Sequence, residues 1–293
     1  MESDHAVKKL YLDYAEFYIT NVCNLTCQGC NRFNDKKFKG WQSWAEHADI
    51  YNQWSQQLDL GSIAIMGGEP LLNPTFYDWV QGLSAAWPNK DIIVSSNGTQ
   101  LDRHHRLYDI MKDNPRIIYD VSLHNKVEKH NIINKIKNFL KEPFTYKFDE
   151  TTYREVLTIT DANNVSVVVR YNWWFHQGAV RTDLDTGRYT LHNSDPEKAH
   201  DICHSKTCHH FDHGRLYKCG PGALFKSFDQ QFNLLLSPED RELINLMPHL
   251  SIEDSYDTKK QFLESIKKSI PQCKFCPEVY IGDQIFSIEK KDQ

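Results

Sequence analysis

No stretch of this 293-residue chain strings together the ~20 apolar residues that a membrane-spanning helix requires, and the mean hydropathy is −0.60. The opening residues, Met-Glu-Ser-Asp-His-Ala-Val-Lys-Lys, hold no apolar core and no cleavage site of the secretory type. Positive charge is not in excess either: 34 Lys and Arg against 39 Asp and Glu leave a net charge of −5 and a pI near 6.3. A dedicated nucleic-acid surface would be basic, so the balance argues against that class. Short basic runs such as Asn34-Asp-Lys-Lys-Phe-Lys39 read as solvated surface. Internal repeats and low-complexity segments are missing. These absences lead to the expectation of a cytoplasmic protein built as one large domain or two modest ones.

Cysteine, by contrast, is present eight times. In a reducing compartment that usage points to metal or redox chemistry and away from a disulfide framework. Three of the eight lie in Phe17-Tyr-Ile-Thr-Asn-Val-Cys-Asn-Leu-Thr-Cys-Gln-Gly-Cys30. Zinc sites close with four ligands and favour paired C-x2-C units; here no fourth cysteine or well-spaced histidine is near. Four cysteines are also the norm for a [4Fe–4S] cluster. Cys23, Cys27 and Cys30 would therefore leave one iron with an open position, where a ligand can bind and be reduced. Three buried structural cysteines are the plainer alternative.

Along the first half, strand-like runs alternate with helical patterns. Strand candidates are Glu16–Thr20, Ser62–Met66, Asp91–Ser95 and Ile117–Leu123, rich in β-branched and aromatic residues. Between them Trp44, Ala48, Tyr51, Trp54 and Leu58 recur at helical spacing, as do Phe76, Val80, Leu83 and Trp87. Further helices are expected over 103–112 and 126–140. This order implies an α/β fold with parallel strands and right-handed crossovers. Glu155–Thr160 and Val165–Tyr171 read as two more strands around the turn Asp161-Ala-Asn-Asn164, whose residue types suit a hairpin or a tight connection. The polar, turn-rich stretch from Thr182 to Asp195 marks a boundary, giving units 1–181 and 182–293.

A second motif, Met66-Gly-Gly-Glu-Pro70, follows the second strand. Two glycines let a backbone pass close to a ligand, and Glu69 supplies an acceptor for an ammonium group. The cysteine triplet followed by Gly67, Gly68, Glu69 and Pro70 after a strand resembles the signature of the radical SAM superfamily. That resemblance implies a partial (β/α)6 TIM-like barrel, to which the six strand candidates correspond. It also implies a [4Fe–4S] cluster on the three cysteines with S-adenosylmethionine (SAM) on the open iron, its amino group held at the Gly-Gly-Glu-Pro motif. Asn97 in Ser95-Ser-Asn-Gly-Thr99 and Ser122 in Asp120-Val-Ser-Leu-His124 end strands where barrel enzymes build their sites. By resemblance they are candidates for the SAM ribose or the substrate, and His124 for a substrate contact; plain turn chemistry is the alternative for Asn97. Arg170 is a candidate for the SAM carboxylate or for a rim salt bridge. Gly29 stands where many relatives carry an aromatic against adenine, which leaves Phe33 or Tyr18 for that contact, and no G-x-I-x-G-x-x-E motif is found.

The other cysteines are Cys203, Cys208, Cys219, Cys273 and Cys276. A G-x4-C element ending at Cys219 and a distant C-x2-C pair resemble the twitch form of the SPASM extension, a small C-terminal iron–sulfur domain. That resemblance implies one auxiliary [4Fe–4S] cluster on Cys219, Cys273, Cys276 and either Cys203 or Cys208. Zinc remains the competing reading, because His204, His209, His210 and His213 crowd the same segment and mixed Cys/His sets suit that metal.

The implied activity is reductive cleavage of SAM and hydrogen abstraction from a peptide or small molecule, with flavodoxin or ferredoxin as electron donor. Too few residues precede the first strand for a leader-binding domain, which argues against self-contained leader recognition and leaves a separate partner protein open. The alternatives are a small-molecule dehydrogenase and a non-catalytic binding protein stabilised by an iron–sulfur cluster or zinc.

Overall fold

The computed structural model describes residues 9–27, 29–124, 128–151, 154–171 and 178–279. The chain begins with strands β1 (Leu10–Tyr18), β2 (Leu58–Met66), β3 (Asp91–Ser96) and β4 (Ile117–Leu123), separated by helices α1 (Trp44–Gln57), α2 (Phe76–Ala86) and α3 (Arg106–Asp113). Helix α4 (Lys129–Phe139) leads into β5 (Thr145–Thr151), β6 (Arg154–Thr160) and β7 (Ser166–Tyr171). Beyond these, β8 (Val180–Thr182) and β9 (Tyr189–Leu191) form a small sheet of their own. The chain continues through α5 (Pro196–Asp201), β10 (His209–Asp212), β11 (Arg215–Tyr217), α6 (Gly220–Phe232), α7 (Pro238–Asn245), β12 (His249–Leu250) and α8 (Tyr256–Ser265).

One ten-stranded sheet runs through the molecule in the order β12-β11-β10-β1-β2-β3-β4-β7-β6-β5. From β10 to β7 every neighbouring pair is parallel. The four strands expected in the first half are all present, and the helical spacing holds: α2 buries Phe76, Trp79, Val80 and Leu83. These residues, with Tyr51 and Trp54 of α1 and the apolar face of the strands, form the main core.

Two features depart from the expected six-strand barrel. Residues Glu155–Thr160 do form a strand, but β6 lies antiparallel to β7 and to the unanticipated β5. The reason is chain length: a parallel crossover needs a dozen residues or more, and only residues 161–165 join β6 to β7. Asp161 locks that tight connection, its Oδ1 accepting from the backbone N–H groups of Asn163 and Val165. The sixth parallel strand is β10, from the C-terminal part, and it sits beside β1 at the opposite end of the series, with Glu16 opposite His210. The two sequence units thus share one sheet.

A second core joins them again. Phe33 and Phe38, just after the cysteine triplet, pack on Phe228 of α6 with ring centroids 4.9 and 5.3 Å apart. Phe33 and Tyr18 are both buried in this cluster, so neither offers an open face to an adenine, contrary to expectation. Among the described residues no helix is long and apolar enough to cross a membrane.

Between the two cores lies a buried polar knot. Arg32 pairs with Glu16 of β1, and the Nδ1 of His210 on β10 donates to the same carboxylate at 3.1 Å. Burial alone would raise the Glu16 pKa, but the adjacent Arg32 guanidinium and the His210 bond outweigh it and hold the carboxyl at about 2. His210 is driven by burial to about 4 against the pull of Glu16; it is therefore neutral, and the proton sits on Nδ1. Leaving one member of a buried ion pair without its partner costs roughly 3–5 kcal/mol. Arg32→Met should therefore lower unfolding stability in urea by about that much, and adding Glu16→Gln should recover part of it. A loss below ~1 kcal/mol, the range of exposed pairs, would show that the knot holds little.

Candidate active site at the ends of the parallel strands

The cysteine loop leaves the end of β1 and lies directly on the turn after β2. Gly68 donates to the carbonyl of Thr20 at 2.7 Å and Glu69 to that of Val22 at 2.8 Å. A Cβ at Gly67 would fall 2.4 Å from the Thr20 oxygen, and one at Gly68 would fall 2.3 Å from the Val22 oxygen and 2.8 Å from the Cys23 Cβ. Glycine was expected here for close approach of a ligand; the close neighbour is the cysteine loop itself.

Pro70 opens a single 3-10 turn, and Glu69 caps it from a fully buried position. Its Oε1 accepts from Leu71 N–H at 3.2 Å and Ser96 Oγ at 2.8 Å, and its Oε2 from Asn97 N–H at 2.7 Å. Burial pushes the carboxyl up to about 7 despite these bonds. A carboxylate has about four lone-pair sites. Three are taken, which leaves room for one further donor, and a cation there would favour the ionised form.

Asn97 closes the third side. Its Nδ2 donates to Asn24 Oδ1 at 3.0 Å and lies 3.9 Å from Cys23 Sγ, while its Oδ1 accepts from Thr99 N–H at 2.9 Å. Asn24 in turn donates to Thr99 Oγ1 at 2.7 Å. The turn chemistry anticipated for Asn97 is therefore real, and the same side chain also reaches the cysteine loop. Asn24, Ser96 and Thr99 were missed from the sequence; the one signal available was an amide placed inside the cysteine spacing. Cys27 is buried, Cys23 and Cys30 half-buried, and a backbone bond of 3.2 Å from Cys30 to Cys27 tightens their turn.

Arg170 and Ser122 sit opposite one another on β7 and β4. The Arg170 Nε donates to Asp120 Oδ2 at 2.5 Å, which is the rim salt bridge anticipated for it. His124 follows the end of β4.

The C-terminal cysteines separate into two groups. Cys203, Cys219, Cys273 and Cys276 line a single cavity with an empty volume of about 420 Å³, part of it open to solvent. Lys206, Lys218 and His200 share its wall, which carries no carboxylate among the described residues. Burial pushes Cys219 up to about 12, with the Cys203 and Cys273 thiols adding to the shift. Cys208 lies elsewhere, beside Glu16 and Arg32. His204, His209, His210 and His213 do not line the cavity. His209 Nδ1 bonds the Lys218 carbonyl and His210 bonds Glu16.

Both cysteine sets offer soft thiolate donors suited to iron–sulfur clusters. Among the described residues no three His, Cys, Asp or Glu side chains gather tightly enough to hold a single ion. A cuboidal cluster spreads its thiolates over several irons and needs no such tight group.

Together the parallel sheet and the converging strand-end loops define an α/β protein whose cysteine-bearing site lies at the C-terminal ends of β1, β2 and β3. Residues 17–142 match the family model of the radical SAM superfamily, so this part of the chain is a radical SAM domain. A GTP 3′,8-cyclase from Alkaliphilus oremlandii (strain OhILAs) is 32% identical over 104 residues, which are 33% of this chain and 32% of that protein. The match thus spans about a third of that relative's length. Among solved structures, BtrN in complex with AdoMet and 2-DOIA aligns over 89% of both chains at 15% identity and a TM-score of 0.49. SuiB of Streptococcus suis bound to S-adenosylmethionine aligns over 44% of this chain and 31% of its own, at 16% identity and a TM-score of 0.37. At those identities and scores neither structure bears on function.

The glycine contacts give a direct test. Gly68→Ala forces a methyl group against the Val22 carbonyl, and overpacking of this kind costs about 1–3 kcal/mol. Thermal unfolding should show a lower Tm for the variant. A Tm equal to that of the parent would mean that the cysteine loop is not seated as described.

Proposed function

We propose that this chain is a radical SAM enzyme acting on a peptide or small molecule, with a net oxidation or crosslink as its outcome. The observation that carries the reading is the meeting of Cys23, the Gly67–Glu69 turn and Asn97, three separate sequence motifs, at adjacent strand ends. Cys23, Cys27 and Cys30 would hold a [4Fe–4S] cluster and leave one iron for SAM. Held there and reduced, such a cluster would supply the one-electron reduction that cleaves SAM, and with it the hydrogen-abstracting power of a 5′-deoxyadenosyl radical.

The chain's own part is to bind, orient and keep water out. Glu69 has one acceptor site left for the SAM ammonium, and Gly67, Gly68 and Pro70 hold it in place. Asn97 and Ser122 are proposed to contact the SAM ribose or the substrate, and Arg170, steadied by Asp120, to face an anionic group. Phe33, Phe38 and α6 pack behind the cysteine loop and shield that side from solvent. Cys203, Cys219, Cys273 and Cys276 would hold an auxiliary [4Fe–4S] cluster in the manner of a twitch domain, a place for the electron left on substrate. Flavodoxin or ferredoxin is the proposed donor. Four thiolates also suit zinc by their chemistry, although among the described residues they do not gather around a single ion; metal analysis separates the two.

Replacing Cys23, Cys27 and Cys30 by alanine should abolish 5′-deoxyadenosine formation and drop iron from about eight to about four per chain. Unchanged product would sink the reading, and about one zinc with only about four irons in the parent would overturn the auxiliary cluster. Cys203→Ser should lose about four irons and Cys208→Ser none; the reverse pattern would reassign the fourth ligand.

Loss of one hydrogen bond to a charged group, roughly 1.5–3 kcal/mol, means that Glu69→Ala should weaken SAM binding by about one to two orders of magnitude. Affinity within about twofold of the parent, well under 1 kcal/mol, would exclude the ammonium contact. Substrate class is open to deuterium transfer into 5′-deoxyadenosine, with peptides, small polyols and GTP as candidates.

A further inference from the structure

The two ends of the ten-stranded sheet are unlike. One end is closed by β12, only two residues long, with Leu250 buried. The other is β5, seven residues paired without interruption to β6 and, among the described residues, flanked on one side only. An uninterrupted edge strand presents a row of unmet backbone donors and acceptors, which natural sheets usually blunt or cover. On β5 the outward surface is also aromatic: Tyr146 is 54% and Phe148 56% exposed. Between and after them stand Lys147 and Asp149, ion-paired to each other at 3.0 Å, with side chains 75% and 49% exposed.

We propose that β5 pairs antiparallel with β5 of a second copy of this chain, across a two-fold axis at Phe148. An isologous interface must be self-complementary, and the charge order of Tyr146-Lys147-Phe148-Asp149-Glu150 satisfies that in one register. With the axis at Phe148, the two phenyl rings face each other. Lys147 of each copy then stands opposite Asp149 of the other, and directly opposed unlike charges are favourable in a sheet. An axis moved to Lys147 sets lysine against lysine, and one moved to Asp149 sets carboxylate against carboxylate. Both are disfavoured. Charge therefore selects the register, and the aromatic face supplies the apolar burial. The sheets of the two copies would join into one.

Sedimentation equilibrium of the full chain over a range of concentrations tests this. A reversible dimer is expected. Lys147→Asp and Asp149→Lys should each weaken association at least tenfold, because each places like charges opposite one another. The double swap Lys147→Asp/Asp149→Lys should restore it, since the opposed pairs are again unlike. Both positions of change lie on the surface, and circular dichroism would verify that each variant is folded. A protein that stays monomeric, a dimer indifferent to the single swaps, or a double variant that fails to recover would overturn the proposal. So would a monomer whose β5 edge takes up an extended peptide instead.

Discussion

The ion pair between Arg32 and Glu16 joins three parts of the chain that are far apart in sequence. Glu16 is on the first strand, Arg32 follows the cysteine triplet by two residues, and His210, which shares the carboxylate, is on the strand that enters from the C-terminal part. A buried carboxylate is tolerated only when paired, so Glu16 and Arg32 must be buried together, and the neutral His210 adds a donor to the same carboxylate from β10. The knot also explains Gly220: a Cβ there would fall 2.4 Å from the Arg32 guanidinium carbon. The start of α6, immediately after Cys219, can approach the cysteine loop only because that position carries no side chain.

The candidate site depends on close packing of backbone on backbone. Thr20–Val22 and Gly67–Glu69 bond to each other backbone to backbone just beyond the ends of β1 and β2. Glu69 then ties the same turn to the end of β3 through Ser96 and Asn97. The cysteine-bearing loop, the glycine turn and the asparagine turn are thereby held as one rigid unit, which is the arrangement a reactive site needs if geometry is not to drift. Cysteine chemistry at a strand end would otherwise rest on a loop with little to steady it.

The second core and the four-cysteine cavity extend that logic to the C-terminal part. Phe33 and Phe38 reach α6, and α6 begins beside Cys219. Cys273 and Cys276 come from a 3-10 turn (Pro271–Phe275) more than fifty residues further on and its following residue, with Phe275 packed on Phe225. The two cysteine sets are thus mechanically linked through aromatic packing and through Arg32, and neither belongs to a freely hinged appendage.

Much of this was legible in the residues alone. Ile117–Leu123 was read with both its ends, and the cysteine triplet and Gly-Gly-Glu-Pro motif were read with their neighbours, because spacing and turn chemistry act within a few residues of chain. Periodicity likewise found α1 and α2. The pairing partner of a strand is a long-range matter, and there the reading stopped short: β5 was unseen, β6 was counted with the barrel strands although its turn suits a hairpin, and nothing local shows that His209–Asp212 would lie beside β1. The choice of Cys203 over Cys208 for the cavity wall is of the same kind. Both cysteines sit in one polar segment with similar neighbours, and only the placement of β10 against β1 turns Cys208 toward Glu16. The sequence alone determined which side chains could do chemistry and which short segments would carry them. The tertiary structure decided which of them meet, because burial of charge and register between strands are settled by partners tens or hundreds of residues away.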